Sequence, residues 1–392
     1  MEAFTYYTPT KVVFEEGAEK HLVELLKENK ATNILIVYGG DSAEKSGLIE
    51  RTTKSITSGN MNYFILKNVV ANPLLSTVYE GIKCGKENNV DFILAIGGGS
   101  AIDTAKAIGV GLATNHDVWE YFENKRDDFS CIPVGTILTI AAAGSEMSPS
   151  CVITKDEGLL KRGIRTSEII CKFAIMDPLL TLTLPDYQTF CGIVDIMMHT
   201  MERYFNTVDN MELTDSLSEG LLRTMIKYAR VLKKDSQNVE ARWNVMWAGS
   251  LSHNGLMNCG NNRGDWATHK IEHEVSGLYN VTHGAGLSAI WASWARYVVE
   301  KIPHRFEKFG INVLNIPDKG NTLLNAYAAI DKMEEFYQEI DMPTSLCELK
   351  INPTEDEIKS MALKGTNDNE FTLGTVKNLN SNDIEKILRS AL

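Results

Sequence analysis

The residues with the most chemistry in this chain are histidines set beside carboxylates. His199 follows Asp195 by four residues in Gly192-Ile-Val-Asp-Ile-Met-Met-His-Thr-Met-Glu-Arg-Tyr204. Helical spacing puts the two on one face, a turn apart. Ile193, Val194, Ile196, Met197 and Met198 surround them, so that face is expected to be close to buried. An ionised Asp there needs a compensating cation. A neutral core histidine hydrogen-bonded to Asp195 satisfies the same pattern, and the pair alone does not choose. A second window, Trp266-Ala-Thr-His-Lys-Ile-Glu-His-Glu274, carries His269 and His273, with His283 ten residues further on and His253 in its approach. One Asp and up to three His make a nitrogen and oxygen site suited to Fe(II), Zn or a similar divalent ion. The same window spells H-x-x-E-H through Glu272, an inverted zinc-protease signature in which His269 and His273 bind together. On residue types alone both chemistries stay open.

A different chemistry is offered by Ile96-Gly-Gly-Gly-Ser-Ala-Ile-Asp-Thr-Ala-Lys106. Gly97, Gly98 and Gly99 let the backbone approach a pyrophosphate, and the N–H groups of a starting helix would bind its charge. Ser100 adds a hydroxyl and reads as an N-cap. The stretch matches neither G-x-G-x-x-G nor G-x-x-x-x-G-K-[ST], so a simple tight turn competes with the phosphate reading. Its place between a strand and a helix favours phosphate. A second cofactor-binding stretch is expected in Tyr38-Gly-Gly-Asp-Ser-Ala-Glu-Lys45, through Gly39, Gly40 and Ser42. Gly40 and Ser42 leave room for a 2′-phosphate, whereas Asp41 and Glu44 favour a free ribose hydroxyl.

These motifs need two kinds of scaffold. In the first half, Asn33–Tyr38 and Val90–Ile96 are β-branched runs that end in glycines, with a helical pattern from Ser76 to Asn89 between them. Cys131–Thr139 and Cys171–Met176 are further buried-strand candidates. Strand, helix, strand with glycines after the strands is the grammar of a parallel α/β sheet. After Asp177-Pro178 the chain reads mainly as long helices, beginning at Pro185-Asp186 and running to Tyr204. The expected division is 1–183, an α/β dinucleotide-binding domain, and 184–392, an all-α metal-binding domain. A chain of 392 residues is long enough for two cores.

Composition excludes several function classes. The formal net charge is -12, and Lys and Arg are scattered among acids, so no nucleic-acid surface is expected. No run of about 18 apolar residues is present, so no membrane span is expected. Met1–Lys11 lacks a basic start followed by an apolar stretch, so no signal peptide is expected. The seven cysteines are odd in number, widely spaced and free of C-x-x-C pairs, as in a reducing cytoplasm.

Gly97-Gly-Gly-Ser-Ala-Ile-Asp103, Gly144-Ser-Glu-Met147, Asp177-Pro178 and the Asp195, His199, His269, His283 pattern resemble the iron-activated (group III) alcohol dehydrogenases. Tyr38-Gly-Gly, Trp266-Ala-Thr-His and Glu272-His-Glu are most similar to the butanol dehydrogenase and broad-range aldehyde reductase branch. The resemblance runs essentially end to end, in motif order and spacing. It implies the dehydroquinate synthase-like, iron-containing alcohol dehydrogenase fold, with the active cleft between its two domains. It implies a metal, Fe(II) or Zn, on Asp195, His199, His269 and His283, with His273 beside the nicotinamide and substrate and not a ligand. It further implies that Gly97 to Ser100 hold the pyrophosphate, and that Asp103, Thr139, Ser148 and Lys161 lie around the cofactor. Members commonly form dimers or larger assemblies, so a homo-oligomer is implied.

The chain departs from the family in two places. Ala143 stands where members often carry Thr. Asp41 replaces a glycine and Glu44 a Lys of the NADP-using branch, while Gly40 occupies a position where NAD-preferring relatives often place Asp. NADP is the expected cofactor, with NAD as the alternative. The expected reaction is hydride transfer between the nicotinamide and a short or medium aliphatic aldehyde or alcohol. In it the metal polarises the substrate oxygen and His273 passes the proton. The competing expectations are a metalloprotease on His269-x-x-Glu272-His273 and a non-catalytic dinucleotide-binding relative.

Overall fold

A computed structural model describes residues 1–261 and 264–392. It divides into two compact units, one of residues 7–184 and one of residues 1–6 with 185–392. The first six residues therefore go with the helical unit, where the backbone N–H of Glu2 donates to the Gly260 carbonyl at 2.9 Å.

In the α/β unit the described residues form a six-stranded sheet of β1 (Lys11–Phe14), β2 (Asn33–Tyr38), β3 (Asn62–Leu66), β4 (Phe92–Gly97), β5 (Val134–Leu138) and β8 (Phe173–Met176). The order is β1-β8-β5-β4-β2-β3, and every pairing is parallel. β2, β4, β5 and β8 are the apolar runs expected from sequence, and β4 and β5 are buried nearly throughout, as a sheet covered on both faces requires. Ile34, Ile36, Leu94, Ile96, Ile137 and Ile175 share one core with Leu22, Leu25, Leu26 and Ile56. Phe92 stacks on Phe173 at 5.6 Å, and Gly135 makes room, since a Cβ there would lie 2.4 Å from the Phe173 ring. Strands on either side of β2 are reached by connections running in opposite directions. The carboxyl ends of β2 and β4, paired through Tyr38 and Ile96, therefore form a topological switch point where ligands bind.

A hairpin of β6 (Ser150–Lys155) and β7 (Leu160–Arg165) pairs antiparallel beside this sheet. Sequence alone does not reveal it, because Lys161, Arg162 and Gly163 break β7 and neither strand alternates cleanly.

The helical unit is built as its sequence suggests. In the helix Asp186–Tyr204 every residue from Thr189 to Tyr204 is buried. It packs against the helices Glu212–Lys234, Val239–His253 and His283–Val298. A helix enclosed on all sides is apolar all round, which explains its run of Ile, Val and Met. Its end is held by Arg305, whose guanidinium donates to the Tyr204 carbonyl and to both oxygens of Asp215. Beside this lies an aromatic core in which Phe205 stacks on Phe306 at 4.3 Å, with Trp291 and Trp294 fully buried. No helix among the described residues is long and apolar enough to cross a membrane.

Candidate metal centre and dinucleotide loop

Three helices of the helical unit bring the expected ligands together. Asp195 and His199 lie a turn apart on Asp186–Tyr204. His269 lies in the first turn of Ala267–Tyr279, and His283 opens His283–Val298. Gly284 is what lets the last of these approach, since a Cβ there would stand 2.0 Å from the Cys191 carbonyl oxygen. Asp195 Oδ1 lies 3.5 Å from His199 Nδ1, 3.6 Å from His269 Nε2 and 3.7 Å from His283 Nε2. Ligand atoms at about 2.1 Å around a tetrahedral ion stand about 3.4 Å apart. Asp195 Oδ1, His199 Nδ1 and His269 Nε2 are buried and have no hydrogen-bond partner among the described residues. Each such atom costs on the order of 1–3 kcal/mol, and here the three face one another. That is the arrangement a cation resolves.

The electrostatics agree. Burial alone would raise the Asp195 carboxyl, but the imidazoles of His283 and His269 outweigh it and hold it below the usual range. Burial, reinforced by His269 and Arg203, pushes His199 well down. Burial also opposes protonation of His269, yet Glu202 and Asp195 raise it to about 9.

The H-x-x-E-H reading fares differently. His269 groups with Asp195 and His199, whereas His273 groups with Glu272 and His283. Glu272 accepts from the Ser276 hydroxyl on one oxygen and is hydrogen-bonded to His283 Nδ1 on the other. Both of its oxygens are engaged, which leaves it unsuited to act as a hydrolytic base. His273 is buried, with its ring centre 5.9 Å from that of His283.

Further residues surround the centre, and of these Glu202 and Arg203 are not singled out by the sequence motifs. Glu202 is completely buried and receives both the backbone N–H of His269 at 3.0 Å and His269 Nδ1 at 2.5 Å. Arg203 donates to the His199 carbonyl and lies 4.4 Å over the Trp266 ring. Trp266 itself takes a left-handed φ of 62°, unusual for a bulky residue. His253, one of the clustered histidines, packs edge-on to His199 at 4.0 Å. A glutamate three residues after a histidine was the available clue to Glu202.

In the α/β unit, Gly97 ends β4 and Gly99 begins the helix Gly99–Ala113. The N-cap is Gly98, without a side-chain cap bond, so the expected capping by Ser100 does not occur. The first-turn amides are left for an anion. The glycines also permit close packing, since a Cβ at Gly98 would lie 3.0 Å from Ile140 and one at Gly99 2.9 Å from Ala143. Gly39 is a packing glycine, with Val69 O 2.1 Å from where its Cβ would be, whereas Gly40 faces open space with φ 65°. Ser42 starts a short helix and is exposed. Thr139 follows β5, its backbone N–H donating to Gly97 O.

The charged residues of this region are tied to protein groups. Asp103 accepts from Ser145 Oγ at 2.6 Å and from the Val152 N–H at 2.9 Å. Ser148 is buried, with its hydroxyl accepting from the Ser150 N–H. Lys161 donates to Asn72 Oδ1 at 2.9 Å. Lys106, fully buried and missed by sequence reasoning, donates to the carbonyls of Ser145, Ser148 and Ser150 and to Ser145 Oγ.

Residues 9–178 match the family model for iron-containing alcohol dehydrogenase, and residues 189–392 match the model for the C-terminal region of that family. The chain belongs to the iron-containing alcohol dehydrogenases. Within them it is an oxidoreductase of the butanol dehydrogenase and aldehyde reductase branch. It is 37% identical to a probable NADH-dependent butanol dehydrogenase of Bacillus subtilis, over the whole of both chains. It is 30% identical to the NADPH-dependent aldehyde reductase YqhD of Escherichia coli, over 88% of this chain and 89% of that one. The crystal structure of NADH-dependent butanol dehydrogenase A from Thermotoga maritima superposes with a TM-score of 0.96 at 31% identity, covering 100% of this chain and 99% of that chain. The facing atoms of Asp195, His199 and His269, with His283 Nε2 3.7 Å from Asp195, are a donor set whose chemistry suits the metal that the family name carries.

Proposed function

We propose that this iron-containing alcohol dehydrogenase interconverts short to medium aliphatic aldehydes and alcohols, using one divalent ion, Fe(II) or Zn, and a nicotinamide dinucleotide. The observation that carries this reading is the convergence of Asp195, His199, His269 and His283, three of whose facing atoms are buried without hydrogen-bond partners among the described residues. When bound, the ion supplies a Lewis acid for the substrate oxygen and the dinucleotide supplies the hydride. Asp195 and the three imidazoles hold the ion, and their one formal negative charge leaves it electrophilic. The Gly97–Ser100 turn and the amides after it bind the pyrophosphate. His273, near the centre but outside the Asp195 cluster, passes the proton.

For the cofactor, the Glu44 carboxylate supports NADH over the NADP expected from sequence. Tyr38 OH donates to Glu44 Oε1 at 2.5 Å and so fixes an acid in the loop after β2. A 2′-phosphate there would meet this charge and that of exposed Asp41. The relatives from Bacillus subtilis and Thermotoga maritima are both named NADH-dependent.

The test is loss of nicotinamide absorbance with butanal, run with NADH and with NADPH on metal-replete protein whose metal has been measured. Turnover with either cofactor, faster with NADH, is expected. No turnover with any aliphatic aldehyde would overturn the function. Faster turnover with NADPH would overturn only the cofactor assignment.

A further inference from the structure

Two helices of the helical unit carry the same short phrase, His-x-x-Glu, as His199 to Glu202 and His269 to Glu272. In each, the histidine faces Asp195 while the glutamate, about one turn on, reaches a histidine of another helix. Glu202 takes the backbone N–H and Nδ1 of His269. Glu272 is hydrogen-bonded to Nδ1 of His283. The third helix begins His283-Gly-Ala-Gly, so Gly286 stands where the first two have glutamate. A Cβ at Gly286 would lie 2.9 Å from both Cγ and Oε1 of Glu272. The space left by that glycine is occupied by the glutamate of the preceding helix.

Both glutamates are completely buried, a costly state for a carboxylate unless donors compensate. Each has at least two: the N–H and Nδ1 of His269 for Glu202, and Ser276 Oγ and His283 Nδ1 for Glu272. An imidazole that gives its Nδ1 proton to a carboxylate keeps its Nε2 lone pair free, more basic and fixed in direction. For His269 and His283 that atom is the one facing Asp195.

We propose that Glu202 and Glu272 are positioning residues that pass orientation from helix to helix, aiming His269 and His283 at the ion and setting how tightly it is held. This rests on the reading of the metal centre given under Proposed function. It gives the glutamate of the H-x-x-E-H window an orienting role in place of a hydrolytic one.

The experiment strips the purified protein of metal and titrates zinc(II) back against a competing chromophoric chelator. The variants are Glu202→Ala, Glu272→Ala, Glu272→Gln and Gly286→Ala, none of which removes a ligand. Zinc affinity should fall about 10- to 100-fold in both glutamate-to-alanine variants and in Gly286→Ala, and less in Glu272→Gln, which keeps an acceptor oxygen. The visible spectrum of the cobalt(II) form should shift in the same variants, and the loss of zinc affinity should exceed any destabilisation of the metal-free protein that comes from the stranded donors. Wild-type affinity and an unshifted cobalt spectrum would overturn the proposal. So would a loss of affinity matched by equal destabilisation of the metal-free protein. If Glu202→Ala does not fold, Glu202→Gln decides its part by the same readouts. Wild-type protein that takes up no zinc or cobalt would instead overturn the reading of the centre itself.

Discussion

The cluster around Asp195 in the helical unit and the glycine turn of the α/β unit present their polar atoms in opposite ways. Around Asp195, three atoms that should have partners have none among the described residues and face one another. Around the glycine turn, Asp103, Lys106, Ser148 and Lys161 are already bonded to protein groups. What the turn itself offers a ligand is chiefly backbone, the amides at the start of Gly99–Ala113. A cation is met by side-chain lone pairs and an anion by main-chain N–H groups. The first kind of site is lost when a side chain is removed. The second is lost when one is added.

That contrast sets the two largest expected effects. His269→Ala should lower turnover on the order of a thousandfold, since a Lewis-acid centre contributes several kcal/mol, and assays of metal-replete protein check it. Gly99→Val adds atoms where a Cβ alone would be 2.9 Å from Ala143. It should raise the KM for the dinucleotide on the order of tenfold, about 1.4 kcal/mol, with metal content unchanged. If Gly99→Val lost metal, or His269→Ala lost only nucleotide affinity, the contrast would break.

Lys106 sharpens it. Its ammonium is buried against four oxygens of Ser145, Ser148 and Ser150, so Lys106→Met strands them. A loss of about 3 kcal/mol or more is expected, read as a lower melting temperature with zinc affinity unchanged. The smallest effect is a pH dependence. Burial raises the Asp215 carboxyl, but hydrogen bonds from Arg305 and Lys308 outweigh it and hold it below the usual range. A folded-state value below the unfolded one stabilises at pH above about 4 and loses that stabilisation as pH falls through the folded value. Melting temperatures recorded downward from pH 5 should therefore decline more steeply in wild type than in Asp215→Asn.

The same contrast explains what was legible in the sequence. Asp195, His199, His269 and His283 are distinctive residue types at helical spacing, and their burial could be read from the Ile and Met around them. Glu202 looked like ordinary helix charge, because its partner His269 lies on another helix and only the tertiary fold brings them together. β2, β4, β5 and β8 were visible as apolar runs, whereas edge strand β3 is largely exposed and the β6–β7 hairpin is broken by Lys, Arg and Gly. Ser100 looked like a cap because Ser so often is one. Here the helix starts a residue before it, leaving the amides uncapped, which suits an anion better than a side-chain cap would.

Metal content per chain, measured on wild type, Asp195→Ala and His273→Ala purified side by side, tests the centre most directly. About one divalent ion is expected in wild type and in His273→Ala, and close to none in Asp195→Ala. Equal metal in Asp195→Ala and wild type would contradict the assignment of that carboxylate as the ion's anchor.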